Sequence, residues 1–444
     1  MIKKFFANKA FFTTLIILLA LEGAFAYFFP SNALVNDIIV NHSIQSALIL
    51  AVTTIIISAC FITNPVPAIF ILISAIAIPL SGFSASYLIQ ELITRIGRNS
   101  FLILSLLIPI MAGMGLNFGM VLGAMAGQIG LLMICDWGVV GIPGMVLACL
   151  IGTPIAIILG IFCGAVLNRA KGREMVTSYI LGFFINGVYQ MTVLYFMGWI
   201  IPITNPALLL SRGYGVRNAV SLLGIRGVLD NLVPTVIAGV KDSQQFISLN
   251  TNGAFAVIQL PFFDGAIRIP LATLIIIALF CVFIVWFRKT KLGQDMRAIG
   301  QNQAVADSAG IAVNRTRVIA IVISTVLACY GQIIYLQNMG TLNTYNSHDQ
   351  AGMFSIAALL IGGASVSRAS IANVFLGVIL FHLMFIVAPM AGKNLIGEAQ
   401  IGEYFRVFVS YGIIALALVL HAWKRNRERE AARRSLRGTN EGGR

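Results

Sequence analysis

Apolar runs of about 20 residues, separated by short polar stretches, recur from one end of this chain to the other. Each run is apolar on every face. A membrane β-barrel would instead alternate polar and apolar positions over segments of roughly ten residues. The pattern predicts an all-α polytopic membrane protein. The runs fall at 11–29, 44–62, 67–89, 101–116, 118–135, 142–167, 174–201, 270–287, 317–336, 351–367, 371–390 and 403–422, which makes about twelve spans. Two stretches depart from the rhythm. Residues 202–269 form one long mixed loop, and residues 300–315, GQNQAVADSAGIAVNR, read as a short soluble helix between greasy neighbours.

Composition agrees with this reading. Of 444 residues, 58% are hydrophobic and 10% charged, whereas a soluble domain carries about 25% charged residues. The formal net charge of +14 is a topology signal, because Lys and Arg collect in cytoplasmic loops. With the N-terminus inside, parity places loop 168–173, with Arg169, Lys171 and Arg173, in the cytoplasm. It also places there Arg288, Lys289, Lys291, Arg297, Arg315 and Arg317, and the basic tail from Lys424 onward. Both termini are thus expected to be cytoplasmic, with Arg95 and Arg98 in an outer loop. Loop 202–269 then lies outside, as a lid, a docking surface or a plain connection. The tail suits anionic membrane lipid. No basic folded face with aromatic partners is legible, so no nucleic-acid partner is expected. Lys3, Lys4 and Lys9 precede an apolar run in which Ala24-Phe25-Ala26 resembles a cleavage site. The run continues through Phe29, which favours an uncleaved first helix.

Candidate chemistry is sparse. The six cysteines lie in or at the ends of apolar runs without a CxxC pair, so they read as small hydrophobes. The four histidines are scattered and suggest no metal site. Gly115, Gly119, Gly123 and Gly127 recur every fourth residue, a spacing that gives one helix a groove for close packing. A polar set lies within the spans: Asn117, Gln128, Asn186, Gln190 and Gln332. Asn186 and Gln190 share a helix face. Uncharged amides suit a path for a neutral polar solute, whereas carboxylates or histidines would suit proton coupling. Glu22 is the one acid well inside a predicted span. No G-x-x-x-x-G-K-[ST] phosphate loop and no catalytic constellation is present. The chain is therefore not expected to hydrolyse ATP or act as an enzyme, and no cofactor is expected to bind it. In the soluble-looking stretch, Asn302 is a good N-cap and Gly310 a good stop for a helix over Gln303 to Ala309. Ala304, Val305 and Ala309 give that helix a small, close-fitting side, and Asp307 gives it a charge. Two turns are marginal alone, so this helix needs a groove on another protein or on its own membrane domain.

The residues around it resemble a family. The run from Lys289 to Ser324 is similar to the R-T-x-x-G-x-x-x-R-A-x-G-x-N-x-x-A-A-x-x-A-G-I segment of ABC-importer permeases of the ribose, nucleoside and branched-chain amino acid group. Lys291, Gly293, Arg297, Ala298, Gly300, Asn302, Ala304, Ala309, Gly310 and Ile311 match, and Val305 replaces an alanine. Ser324 to Gly331, the IAALLIGGAS run and GLNFGMVLGAMAGQIG resemble further stretches of the same family, closest to its nucleoside and simple-sugar branch. The resemblance implies a ten-helix permease core at 67–422 after an extra hairpin at 1–66, and a basic tail at 423–444. Residues 288–316 would be a cytoplasmic coupling loop, with Asn302 to Gly310 as its coupling helix. It also implies a bacterial inner-membrane location, partner ATPase subunits that use ATP and Mg, an extracytoplasmic solute-binding protein, and a second permease as homo- or heterodimer. An ion-gradient-driven secondary transporter of a neutral solute is the alternative, and a membrane enzyme or scaffold is a third class.

Overall fold

A computed structural model describes residues 65–230, 247–249, 255–259, 266–398 and 400–405, with 407, 408, 411, 412 and 415. The predicted spans at 11–29 and 44–62, Glu22 and the tail at 423–444 lie outside those residues. The described helices are α1 (Pro65–Ser81), α2 (Ala85–Ser105), α3 (Leu107–Met111), α4 (Met120–Asp136), α5 (Gly141–Arg169) and α6 (Glu174–Met191). They continue as α7 (Leu271–Phe287), α8 (Lys291–Gln301), α9 (Gln303–Ser308), α10 (Val313–Met339), α11 (Ser347–Ile361) and α12 (Ile371–Ile396). Among the described residues, five stretches are long and apolar enough to cross a membrane: Ser86–Met111, Gly141–Arg169, Glu174–Phe196, Val313–Met339 and Ile371–Leu395. A sixth joins Leu271–Phe287 to Lys291–Gln301 through a 73° bend. The protein is a mostly helical, multi-pass membrane protein.

The chain forms two compact units. One comprises Met1–Gly82, Leu360–Val366 and Met384–Arg444. Within it, Asn394 Nδ2 donates to the carbonyls of Leu80 at 2.9 Å and Ser81 at 3.2 Å. The other comprises Phe83–Leu359 and Ser367–Leu383, and it holds every candidate site residue.

At the heart of the second unit, α4, α5 and α10 pack backbone to backbone. Glycine makes this possible, since lipid offers no hydrophobic drive and close van der Waals approach must hold the helices. A Cβ on Gly123 would overlap the Thr325 carbonyl oxygen, and one on Gly127 would stand 2.7 Å from the Cys329 carbonyl oxygen. Gly119 faces α5, where a Cβ would sit 2.6 Å from Cys163 Sγ. Gly160 and Gly164 of α5 face Val322 and Val318 of α10 in the same way. Gly123 and Gly127 thus share one face against α10, Gly119 meets α5, and Gly115 takes part in neither contact. Gly115 has φ +72° and lies in the reversal between α3 and α4, a left-handed backbone that glycine adopts at little cost. Asn117 ends that reversal: its Oδ1 accepts from Gly119 N at 2.9 Å.

One sequence expectation is corrected. Arg95 and Arg98 do not lie in a loop; α2 runs through them. An i,i+4 pair, Arg95 to Glu91 at 3.0 Å, supports the helix there, and Arg98 lies 5.7 Å above the Tyr335 ring. The long loop at 202–269 is not wholly irregular. β1 (Ala219–Ser221) pairs antiparallel with β5 (Thr341–Asn343), and β2 (Ile247–Leu249), β3 (Phe255–Gln259) and β4 (Ala266–Pro270) form a meander. Asp136, at the end of α4, anchors the loop by accepting from Thr204 N at 2.7 Å and Asn205 N at 2.8 Å. At its far side Asp230 accepts from Thr273 Oγ1 at 2.8 Å, and burial pushes this carboxyl above its usual range.

Candidate functional site

Helix α6 has two unlike faces. Ile180, Phe183, Phe184 and Val188 are exposed, as suits a lipid-facing side. Asn186 and Tyr189, three residues apart and so on a common face, are buried. Across from them stand α4, with Gln128 fully buried, and the first turn of α11, with His348 fully buried.

These side chains form one hydrogen-bonded chain. Tyr189 Oη donates to Gln128 Oε1 at 2.9 Å. His348 Nδ1 lies 2.9 Å from the same Gln128 oxygen, and its Nε2 lies 2.9 Å from Asn186 Oδ1. Asn186 Nδ2 in turn donates to Asp349 Oδ2. The Tyr189 ring also meets the imidazole edge-on at 4.8 Å. A neutral imidazole donates from one nitrogen and accepts at the other. With an amide oxygen at both nitrogens, either both ring nitrogens carry protons or one amide turns its NH2 inward. Gln128 Nε2 finds no partner among the described residues, so Gln128 is the amide free to turn.

The segment that follows α6 holds this arrangement in register. The β1–β5 pairing ends beside the turn that precedes α11. There Thr344 N donates to Asn218 O at 2.7 Å, Thr344 Oγ1 to Arg217 O at 2.9 Å, and Tyr345 Oη to Val216 O at 2.7 Å. His348 is thus placed by residues more than a hundred positions away.

Of the predicted polar set, Gln128 and Asn186 come together through His348. Gln190 Nε2 reaches Tyr345 O, and Gln332 Nε2 reaches Ser347 Oγ, both at 3.4 Å; these two bind the segment leading into α11. Asn117 does not join; its Oδ1 accepts from Gly119 N in the reversal that precedes α4. His348, Asp349 and Tyr189 were missed by sequence reasoning. The predicted amides are thus joined by an imidazole and a carboxylate. The signal was the His-Asp pair itself, which the predicted span at 351–367 left just outside the membrane.

The short helix forms where the sequence places it. Asn302 Oδ1 accepts from Ala304 N at 3.0 Å and Val305 N at 3.3 Å. Gly310, at φ +79°, closes it, with Ile311 N returning to Ala306 O at 3.1 Å. Ala306 is the docked residue, packing against Ile299 and Val313. Ala304, Asp307 and Ala309 are exposed, and Val305 is 63% exposed. Gln303 is half-buried. One edge of the helix is used on its own chain, and the other is open.

Residues 115–418 match the family described as branched-chain amino acid transport system / permease component. The chain is 30% identical over 167 residues to the probable ABC transporter permease protein YphD of Escherichia coli, covering 37% of this chain and 48% of that protein. It is 26% identical to the ribose import permease protein RbsC of Bacillus subtilis over 40% of this chain and 52% of the relative. With the nucleoside ABC transporter permease protein NupB of Lactococcus lactis the identity is 22%, over 38% and 44%. The matches span about half the length of these relatives. No solved structure matches.

Proposed function

The chain belongs to this permease family, and from that premise we propose that it is the membrane-spanning subunit of an ABC importer for a small polar solute. The solute class is a nucleoside or a simple sugar. The observation that carries the reading is the buried polar chain from Tyr189 through Gln128, His348 and Asn186 to Asp349. Such groups are expensive at membrane depth unless they line a path or pair with one another. Their amides and hydroxyl match the hydroxyls of a sugar or nucleoside. Relatives named for ribose, nucleoside and xylose transport support that class.

In this reading α9 is the coupling helix. Its exposed edge, from Ala304 to Ala309, docks on a separate ATPase subunit, which binds ATP and Mg. A solute-binding protein delivers solute from outside, a second permease completes the complex, and both termini lie in the cytoplasm of a bacterial inner membrane. The chain itself is a transport subunit and not an enzyme.

Reconstitution with its ATPase and binding protein tests the proposal. ATP inside proteoliposomes drives uptake after an ionophore has collapsed the proton gradient. The second reading is an ion-driven transporter, favoured by His348 and Asp349 in the path. It predicts the reverse: uptake lost with the gradient and indifferent to ATP. A thermal-shift screen of the binding protein against sugars, nucleosides and riboflavin identifies the solute.

A further inference from the structure

One buried charge lies outside the polar chain and has no part in it. Arg317, in the second turn of α10, is fully buried. Its Nη2 donates to Glu174 Oε1 at 2.6 Å, and its Nη1 donates to Gln303 Oε1 at 3.3 Å. Arg317 Nε finds no partner among the described residues. Glu174 is the first residue of α6, and Gln303 is the first residue of α9. The guanidinium therefore joins the starts of two helices that are 129 positions apart in sequence while belonging to a third.

This is costly construction. Removing an ion pair from water forfeits several kcal/mol per ion, and apolar residues of similar size would hold helices together as well or better. What an apolar contact cannot do is fix direction. Ala306 packs on Ile299 and Val313 through methyl and aliphatic surfaces, which can slide. A planar guanidinium with donors in a rigid fork holds two acceptors at set angles. Helix α6 then carries any shift of its first residue to Asn186, about 18 Å along its axis at 1.5 Å per residue. Backbone contact supports the same end of the unit: a Cβ on Gly113 would stand 2.8 Å from Gly300 Cα, so α8 is seated directly on the end of α3.

We infer that Arg317 is a positioning residue that ties α9 to α6, so that displacement of α9 is delivered to the Asn186–His348 contact as a movement of α6. The inference rests on α9 being the coupling helix.

The test uses the complete complex of permease, ATPase and binding protein in proteoliposomes, and reads solute imported per ATP hydrolysed. Glu174→Gln and Gln303→Leu alter the partners, which are not fully buried, and Arg317→Met removes the joint. The expected result is an assembled complex that still hydrolyses ATP but imports about tenfold less solute per ATP, in the range of allosteric couplings. If Arg317→Met fails to fold, the two partner variants decide. A wild-type ratio in both overturns the inference. So does a parallel loss of uptake and hydrolysis at constant ratio, which marks a structural pair only. Val305→Asp separates the two claims. If it weakens ATPase association while the partner variants keep the wild-type ratio, the coupling helix stands and the Arg317 joint fails. If Val305→Asp leaves association and solute-stimulated hydrolysis untouched, the coupling-helix reading fails and the joint with it.

Discussion

Gly123 of α4 lies so close to Thr325 of α10 that a single methyl group on it would run into the Thr325 carbonyl oxygen. Neither backbone can yield without separating the two helices. Gly123→Ala should therefore cost about 1–3 kcal/mol, as overpacking does, and Gly123→Leu should abolish uptake. Gly187 of α6 is the control, because a Cβ there meets nothing within 4 Å. Gly187→Ala should leave the thermal midpoint in detergent unchanged or higher, since alanine is the better helix former by roughly 0.5–1 kcal/mol. Equal midpoints for Gly123→Ala and Gly187→Ala would contradict the packing argument.

His348 bridges Gln128 and Asn186, both at 2.9 Å. His348→Leu leaves two buried amides short of a partner, at about 1–3 kcal/mol each. His348→Gln restores one donor. Uptake and thermal midpoint should both rank wild type above His348→Gln above His348→Leu. A midpoint in His348→Leu equal to wild type would mean that the amides repack without the ring.

Val305 and Ala306 are adjacent yet differ in burial, at 63% and 3% exposure. Val305→Asp should leave the permease as stable as wild type and reduce copurification of the ATPase. Ala306→Asp should undock α9 from Ile299 and Val313, which hydrogen exchange across residues 303–308 would report as faster amide exchange. Asn302→Ala should quicken the same amides by removing the cap, worth about 1 kcal/mol. Ala304→Arg and Ala309→Arg, on exposed positions, should behave like Val305→Asp.

Asp136 accepts from Thr204 N, Asn205 N and Thr204 Oγ1, the last at 3.1 Å. Hydrogen bonds to a charged group contribute about 1.5–3 kcal/mol. Asp136→Ala should free the chain near residue 204 and raise its cleavage by a protease added to the detergent-solubilised protein, while Asp136→Asn, which keeps one oxygen, should do so less. Protection of the helices should be unchanged in both. Equal cleavage in wild type and Asp136→Ala would show that the strand pairing alone holds the loop.

Legibility followed the range of the interactions. Helix α9 could be read from its own residues, because caps and stops act within a turn: Asn302 and Gly310 carry their own geometry. Gly123 and Gly127 could be read as a packing stripe, since a four-residue spacing maps onto one helix face. Gly115 could not be separated from that stripe, because its part in a reversal depends on where α4 begins. Arg95 and Arg98 were misplaced for a related reason. Charge argued for a loop, whereas the i,i+4 pair to Glu91 and the Tyr335 ring keep them on a helix.

The membrane class, the helical content and the short capped helix α9 were determined by the sequence itself, through hydropathy and local capping. Which polar residues meet was decided only in three dimensions. His348 gains its role from Gln128, 220 positions away, and Arg317 from Glu174, 143 positions away. Nothing local marks either residue as different from a solvated neighbour, because burial and partnership are properties of the packed helices.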